Sequence, residues 1–147
     1  MKTIDLKKEI RYIEQYIALR NNYSDLLLTN PINKNDTLKW FKNKKIEIRG
    51  IIEREELIGI VILYINKGGE VTIFVKDKHR GLGKQLISIV EKIAKENNLC
   101  FIYAWVLKDN NNAKKLFEKC GFSQEGVEFK KYNEILFEGI QYKKFLC

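Results

Sequence analysis

Proline occurs once in the 147 residues, at Pro31, and histidine once, at His79. With no proline-rich or glycine/serine-rich stretch, no internal repeat and no low-complexity segment, nothing marks a linker, and one domain spanning residues 1–147 is expected. Long apolar runs are also missing. The longest, Leu57 to Ile65, is interrupted by Gly59 and falls far short of the ~20 residues that a membrane helix needs. The opening Met-Lys-Thr-Ile-Asp-Leu-Lys-Lys-Glu carries charges where a secretory leader needs an apolar stretch. The expectation is therefore a cytoplasmic protein with no membrane contact. In that compartment the glycosylation-type matches at Asn22-Tyr23-Ser24 and Asn35-Asp36-Thr37 carry no weight. The three cysteines, Cys100, Cys120 and Cys147, have no His or Cys neighbours at metal-ligand spacing, so reduced thiols and no metal site are expected.

What is present suits a globular enzyme-sized unit. A chain of 147 residues, 45% hydrophobic and 31% charged, has enough apolar surface for one core and enough charge to stay dispersed. The 27 basic residues outnumber the 19 acidic ones and leave a net charge of +8, which attracts anions of several kinds: nucleic acid, nucleotide-linked substrates or phosphorylated cofactors. The basic pairs Lys44-Lys45, Lys130-Lys131 and Lys143-Lys144 read first as solvated faces. No aromatic-and-basic RNA motif accompanies them.

The order of hydrophobic periods is more informative. Ile10, Ile13, Tyr16, Ile17 and Arg20 follow helical spacing and predict a first helix ending near Asn21-Asn22. After a loop through Asn30-Pro31, Asp36 or Asn35 can cap a second helix carrying Leu38, Trp40 and Phe41. From Ile46 the period becomes that of strands: Ile46 to Arg54, Leu57 to Ile65 and Glu70 to Lys76, turning at Glu55-Glu56 and Lys67-Gly68-Gly69. Beyond Gly81, the residues Leu82, Leu86, Ile89, Val90, Ile93 and Ala94 share one helix face, and Asn97-Asn98 can end that helix. A buried strand from Cys100 to Leu107 follows. Asn110 to Lys119 then reads as a helix stopped by Gly121, and two strands, Gly126 to Lys131 and Glu134 to Phe145, complete the chain. The strand-helix-strand crossover within an otherwise antiparallel series predicts an α/β (α+β) fold with a mixed, mostly antiparallel sheet.

One turn stands out chemically. After the strand ending Val75-Lys76, the chain runs Asp77-Lys78-His79-Arg80-Gly81-Leu82-Gly83-Lys84 into a helix. Amide groups at a helix start lack internal partners and carry the positive end of the dipole, and glycine removes the side chain that would keep an anion away. The nicotinamide-type fingerprint fails because position 86 is Leu, and the ATP-type loop fails because Gly83-Lys84 is followed by Gln85. By itself the turn is an anion nest or simply a tight turn.

The segment Asn110-Asn111-Asn112-Ala113-Lys114-Lys115-Leu116-Phe117-Glu118-Lys119-Cys120-Gly121-Phe122 adds meaning. It resembles the Asn-x-x-Ala-x-x-(Leu/Phe)-Tyr-x-x-x-Gly-Phe motif of the GNAT superfamily of acetyltransferases, and Lys78 to Gly83 resembles that family's (Gln/Arg)-x-x-Gly-x-(Gly/Ala) motif. The resemblance implies a central sheet of about six to seven strands flanked by about four helices, and acetyl-CoA-dependent transfer to a primary amine through a tetrahedral intermediate. It implies cofactor binding by Ile73-Phe74-Val75, by Lys78-His79-Arg80-Gly81-Leu82-Gly83-Lys84, and by Asn110, Ala113 and Phe117. The strand Ile73-Phe74-Val75 should splay from Ala104-Trp105-Val106 to admit the pantetheine arm, with the Val75 N–H facing the oxyanion. Two positions depart from the family pattern: Lys78 stands for Gln or Arg, and Phe117 replaces the tyrosine that protonates the departing thiolate. Tyr132, Tyr103 and Cys120 are the substitutes the sequence offers.

An amine acceptor with a pKa of roughly 10.4 must lose a proton. Glu70, opening the strand before the glycine turn, sits where related enzymes place a carboxylate and is the candidate base. For the acceptor, Arg20-Asn21 and the Trp40 helix resemble elements of ribosomal-protein N-terminal acetyltransferases and their amino-sugar-acetylating relatives; Trp105 and Tyr132 complete the set. A small amine is expected, with a nucleotide-linked amino sugar preferred because its diphosphate suits the basic surface. Acetylation of a protein N-terminus and a non-catalytic acyl-CoA sensor or RNA-binding module are the alternatives. The reading also admits a homodimer.

Overall fold

A computed structural model describes residues 1–76 and 81–147. Among them, seven strands form one sheet in the order β1-β2-β3-β4-β5-β7-β6. The strands are β1 (Lys2–Asp5), β2 (Ile46–Glu53), β3 (Glu56–Tyr64), β4 (Glu70–Val75), β5 (Phe101–Leu107), β6 (Ser123–Tyr132) and β7 (Ile135–Phe145). The helices are α1 (Ile13–Asn22), α2 (Ser24–Leu27), α3 (Lys34–Trp40), α4 (Leu82–Glu96) and α5 (Asn111–Lys119). Every neighbouring pair is antiparallel except β4 with β5. That exception follows from the right-handed crossover through α4.

The sheet carries a core on each face. On one side Val61, Leu63, Val71, Ile102 and Ala104 meet Leu86, Val90 and Ala94 of α4 together with Phe117 of α5. On the other, Ile48, Ile60, Ile62 and Phe74 meet Tyr12, Tyr16 and Leu19, with Phe41 behind α3. Because both faces of β3 are covered, Leu57 to Leu63 is buried throughout, which explains why it carries no polar side chain. Each such Ile or Leu contributes roughly 1.5–3 kcal/mol by leaving water.

Local chemistry sets the boundaries. Gly81 enters α4 with a left-handed φ of +83°, and Asn98 leaves it at φ 60°. The cap of α3 is Asn33, whose side chain accepts from the Asp36 N–H at 2.9 Å; the helix thus starts ahead of the Asn35 or Asp36 cap that the sequence suggests. The β2–β3 reversal falls on Arg54 and Glu55, at φ 50° and 63°, one residue before the expected Glu55-Glu56. Strand β6 starts at Ser123, ahead of Gly126, because the register shift between Gln124 and Gly126 absorbs an extra residue and lets pairing with β7 continue.

Candidate active site

The sheet is open at its one parallel seam. β4 and β5 pair only at Glu70 opposite Tyr103, where the Tyr103 N–H donates to Gly69 O at 3.1 Å. Toward their C-terminal ends the strands part. The Lys76 N–H donates to Ile58 O at 2.9 Å, so the even-numbered residues of this stretch bond to β3. By the two-residue alternation, the N–H and C=O groups of Ile73 and Val75 face the gap. A cavity of about 1220 Å³ fills it, bounded by Ile73 and Val75 on β4 and by Ala104, Trp105 and Val106 on β5.

At one mouth of the cavity stand two helix starts. Gly81 and Gly83 line it from α4, and Asn110, Asn112 and Ala113 from α5. A Cβ on Gly83 would come within 2.7 Å of Leu116 Cδ2, so the absence of a side chain there lets α5 close on α4. Two dipoles therefore present positive ends to the same opening, which suits a diphosphate. The unpaired β4 edge suits an extended arm of amides, since each amide can replace a missing strand partner. The residues present thus fit CoA, although Lys78, His79 and Arg80 lie outside the described residues. Asn110 Oδ1 accepts from Ala113 N at 3.3 Å, which leaves its NH2 group to turn toward a ligand. Phe74 and Leu82 bury their side chains in the cores, and the Phe74 backbone bonds to β3, so Phe74 turns neither its side chain nor its backbone polar groups toward the gap. Lys84 is exposed on α4.

The other mouth opens toward α1 and α2, where Leu19, Asn22, Tyr23 and Leu26 line it opposite Trp105. Trp105 is held by a hydrogen bond from Nε1 to Glu128 O at 2.9 Å. The β6–β7 hairpin reaches back over this side: the Tyr132 hydroxyl lies 3.2 Å from both Thr29 O and Asn30 Oδ1 and can donate to either. Glu70 sits two residues before the cavity-lining Thr72 on the same strand face, about 7 Å along the strand. Glu70 and Glu128 both act on Tyr103, whose pKa is raised by burial first and then by these two carboxylates.

Three acceptor candidates are placed elsewhere. Asn21 clamps the loop after α2, accepting from Ile32 N at 2.9 Å and donating to Ile32 O at 3.3 Å. Trp40 packs against Tyr16, Phe41 and Tyr64 in the core under α3. Arg20 faces the phenols of Tyr16 and Tyr64 rather than the cavity; burial raises both phenol pKa values and the guanidinium opposes the rise. Arg20 and Asn21 on α1 and Trp40 on α3 thus serve packing and loop contacts, which a helical period does not distinguish from a cavity wall.

The sequence reading passed over Tyr23. Its hydroxyl bridges the β4 edge, accepting from Val75 N at 3.3 Å and donating to Val75 O. The Val75 N–H expected to face an oxyanion is thus already engaged by a phenol. Phe117 also lines the cavity, 4.9 Å edge-on to Phe122 and 6.0 Å stacked on Tyr142. Among the described residues no group of three His, Cys, Asp or Glu could hold a metal ion.

Known proteins share this fold. Residues 14–122 match the acetyltransferase (GNAT) family. The spermidine N(1)-acetyltransferase of Vibrio cholerae is 32% identical over 131 residues, covering 80% of this chain and 75% of that protein. In fold, the chain is similar to the ribosomal-protein-alanine N-acetyltransferase of Brucella melitensis, with a TM-score of 0.84 at 12% identity, covering 99% of this chain and 100% of that one. It is also similar to the spermidine N-acetyltransferase of Vibrio cholerae solved with CoA and spermine, with a TM-score of 0.79 at 20% identity, covering 99% and 95%. With a sheet opened between β4 and β5 and two helix starts at the opening, the chain belongs to the GNAT family of acetyltransferases and uses acetyl-CoA as its acyl donor.

Proposed function

We propose that the chain acetylates a primary amine of a small molecule, and that the amine enters from the α1–α2 side. The observation that carries this reading is the bridge from Tyr132 to Thr29 and Asn30, which ties the β6–β7 hairpin to the loop after α2 and favours a compact molecule over a protein terminus lying in an open groove. Acetyl-CoA supplies an activated acyl group. Gly81, Gly83 and Asn110 hold its anionic and amide parts, and the edge of β4 aligns it. Glu70 takes the acceptor's proton through water from beside Thr72. Lys78 and Arg80 precede Gly81 in the sequence and add two positive charges to the chain there.

The pair Glu70 and Glu128 beside Tyr103 favours an acceptor with a second positive charge, a diamine or polyamine, because two carboxylates near aromatic rings attract an ammonium. Spermidine, after which the Vibrio cholerae relative is named, is such a polyamine. A nucleotide-linked amino sugar is the second reading, favoured by the net charge of +8. Release of free CoA measured with panels of polyamines, nucleotide-linked amino sugars and N-terminal peptides separates the three. Turnover confined to peptides overturns the small-molecule reading. The Glu70→Gln variant is expected to lower kcat by about 100-fold near neutral pH and to flatten the acidic limb of the pH–rate profile.

A further inference from the structure

The geometry points to Tyr23 as the proton donor to the departing CoA thiolate. The inference rests on the acetyl-transfer reading and starts from a gap in the chemistry. When the amine nitrogen bonds to the acyl carbon, the C–S bond breaks and its electron pair leaves on sulfur; a proton delivered there completes the thiol. The motif on α5 supplies no acid, because Phe117 is a hydrocarbon ring.

The donor must stand where the sheet is open. Acetyl-CoA reaches the gap from the helix starts of α4 and α5, and the acceptor reaches it from α1 and α2, so the two meet between Val75 and Ala104–Val106. Tyr23 enters this opening from the α1 side, its ring 5.8 Å from Phe74 and its hydroxyl on Val75. Among the described residues lining the cavity, Tyr23 and Thr72 hold O–H groups. A phenol, with an ordinary pKa of ~10, is a far stronger acid than an aliphatic alcohol. Lys76, also at the cavity, is paired with Glu56. The other candidates lie outside the gap. Tyr103 donates to Lys67 O, Tyr132 is engaged at the hairpin tip, and Cys120 packs at the edge of the core against α4 and α5, its thiol pKa raised by burial.

The hydrogen bonds at Tyr23 suit both halves of the transfer. Before reaction its proton is held by the Val75 carbonyl, a neutral acceptor it can leave for a thiolate. After reaction the Val75 N–H already points at the phenolate oxygen, and a donor to the charged form favours its formation. The acceptor's released proton passes to Glu70 or water, and solvent reprotonates Tyr23. Thioester and amine thus become amide and thiol with no net change in the protein.

Two variants and one measurement without turnover test the assignment. Tyr23→Phe is expected to lower kcat by about 100-fold or more, to leave the acetyl-CoA KM within about threefold of wild type, and to remove the alkaline limb of the pH–rate profile. Adding Phe117→Tyr to that variant is expected to restore at least about tenfold of the loss, since a phenol then enters the same cavity from α5. Phe117→Tyr alone, at a position that lines the cavity, is not expected to raise kcat, because a donor is already present. In the binary complex with CoA, ultraviolet titration of the thiolate is expected to give a higher thiol pKa for Tyr23→Phe than for wild type, because a hydrogen bond to the thiolate is lost. A Tyr23→Phe enzyme that keeps wild-type kcat overturns the proposal. So does a large gain from Phe117→Tyr alone, or an unchanged thiol pKa. The Phe117→Tyr arm decides if Tyr23→Phe fails to fold. If no acceptor supports turnover, the acceptor reading fails while the CoA titration still decides on Tyr23.

Discussion

At the scale of single residues, Gly139 shows how one missing methyl group shapes the acceptor side. A Cβ built there would fall 2.2 Å from both Cε2 and Cζ2 of Trp105, so the indole can lie flat on β7 only over glycine. With its N–H on Glu128 O and Lys130 Nζ 4.8 Å above the ring, Trp105 is fixed as the wall opposite α1 and α2. Gly139→Ala must expel the ring and break the indole hydrogen bond, at a cost of about 1–3 kcal/mol in packing and about 1 kcal/mol for the bond. The expected outcome in initial-rate kinetics is an acceptor KM raised by about tenfold, equivalent to about 1.4 kcal/mol, with the acetyl-CoA KM little changed. Equal effects on both substrates would mean that Trp105 serves the whole cavity instead of the acceptor end.

At the scale of elements, Asn110 joins a helix start to the cavity, and its two parts can be separated. Asn110→Ala removes the acceptor for Ala113 N and is expected to lower stability by about 1 kcal/mol, the usual loss for an N-cap. Asn110→Asp keeps the cap and favours the α5 dipole, yet it brings a negative charge to the cofactor mouth. Titration calorimetry is expected to show about tenfold weaker acetyl-CoA binding for Asn110→Asp at unchanged thermal stability. Elements of this kind were legible from the sequence, because α4 and α5 keep a helical apolar period, with Gly81 before α4, Asn97 and Asn98 after it and Gly121 after α5, and the strands from β2 to β5 are apolar runs between turn residues. β1 was not: in Lys2–Asp5 only Ile4 is buried, and its partner β2 lies more than forty residues away in the chain. The β2–β3 turn was expected one residue late, at Glu55-Glu56, because neither Arg54 nor Glu55 is a usual source of positive φ. Of the residues that line the cavity, Gly81 and Gly83 were marked by the turn before α4 and Asn110 by the resemblance to the family motif. Arg20, Asn21 and Trp40 were not, because a helical period shows which residues turn inward but not whether a cavity or a core awaits them. Tyr23 depends on Val75, 52 positions away, a contact that only the folded sheet creates.

At the scale of the whole molecule, each core of the sheet contains a fully buried tyrosine, Tyr142 in one and Tyr16 in the other, and this predicts how the fold responds to alkali. Tyr142, packed under α5 and donating to Glu118 Oε2 at 2.7 Å, has its pKa pushed up to about 12 by burial and then by that hydrogen bond. Tyr16, under α1, is raised further still by burial. In the unfolded chain a tyrosine titrates near ~10. Below that pH both phenols are neutral in both states, and their contribution is fully present. Above it the unfolded chain releases protons that the folded chain retains, so stability must fall with rising pH. For Tyr142 the loss accumulates from about pH 10 to about 12, and for Tyr16 it continues beyond. Lysines titrate in the same range, so the informative quantity is the difference between wild type and Tyr142→Phe. At neutral pH the variant is expected to be less stable by about 1 kcal/mol for the lost hydrogen bond. As pH rises above ~10, the variant's midpoint in urea is expected to fall less steeply than that of wild type, so that the two curves converge. Parallel curves across that window would mean that the Tyr142 phenol ionises as readily in the folded core as in the unfolded chain, and that the interior beneath α5 is open to hydroxide.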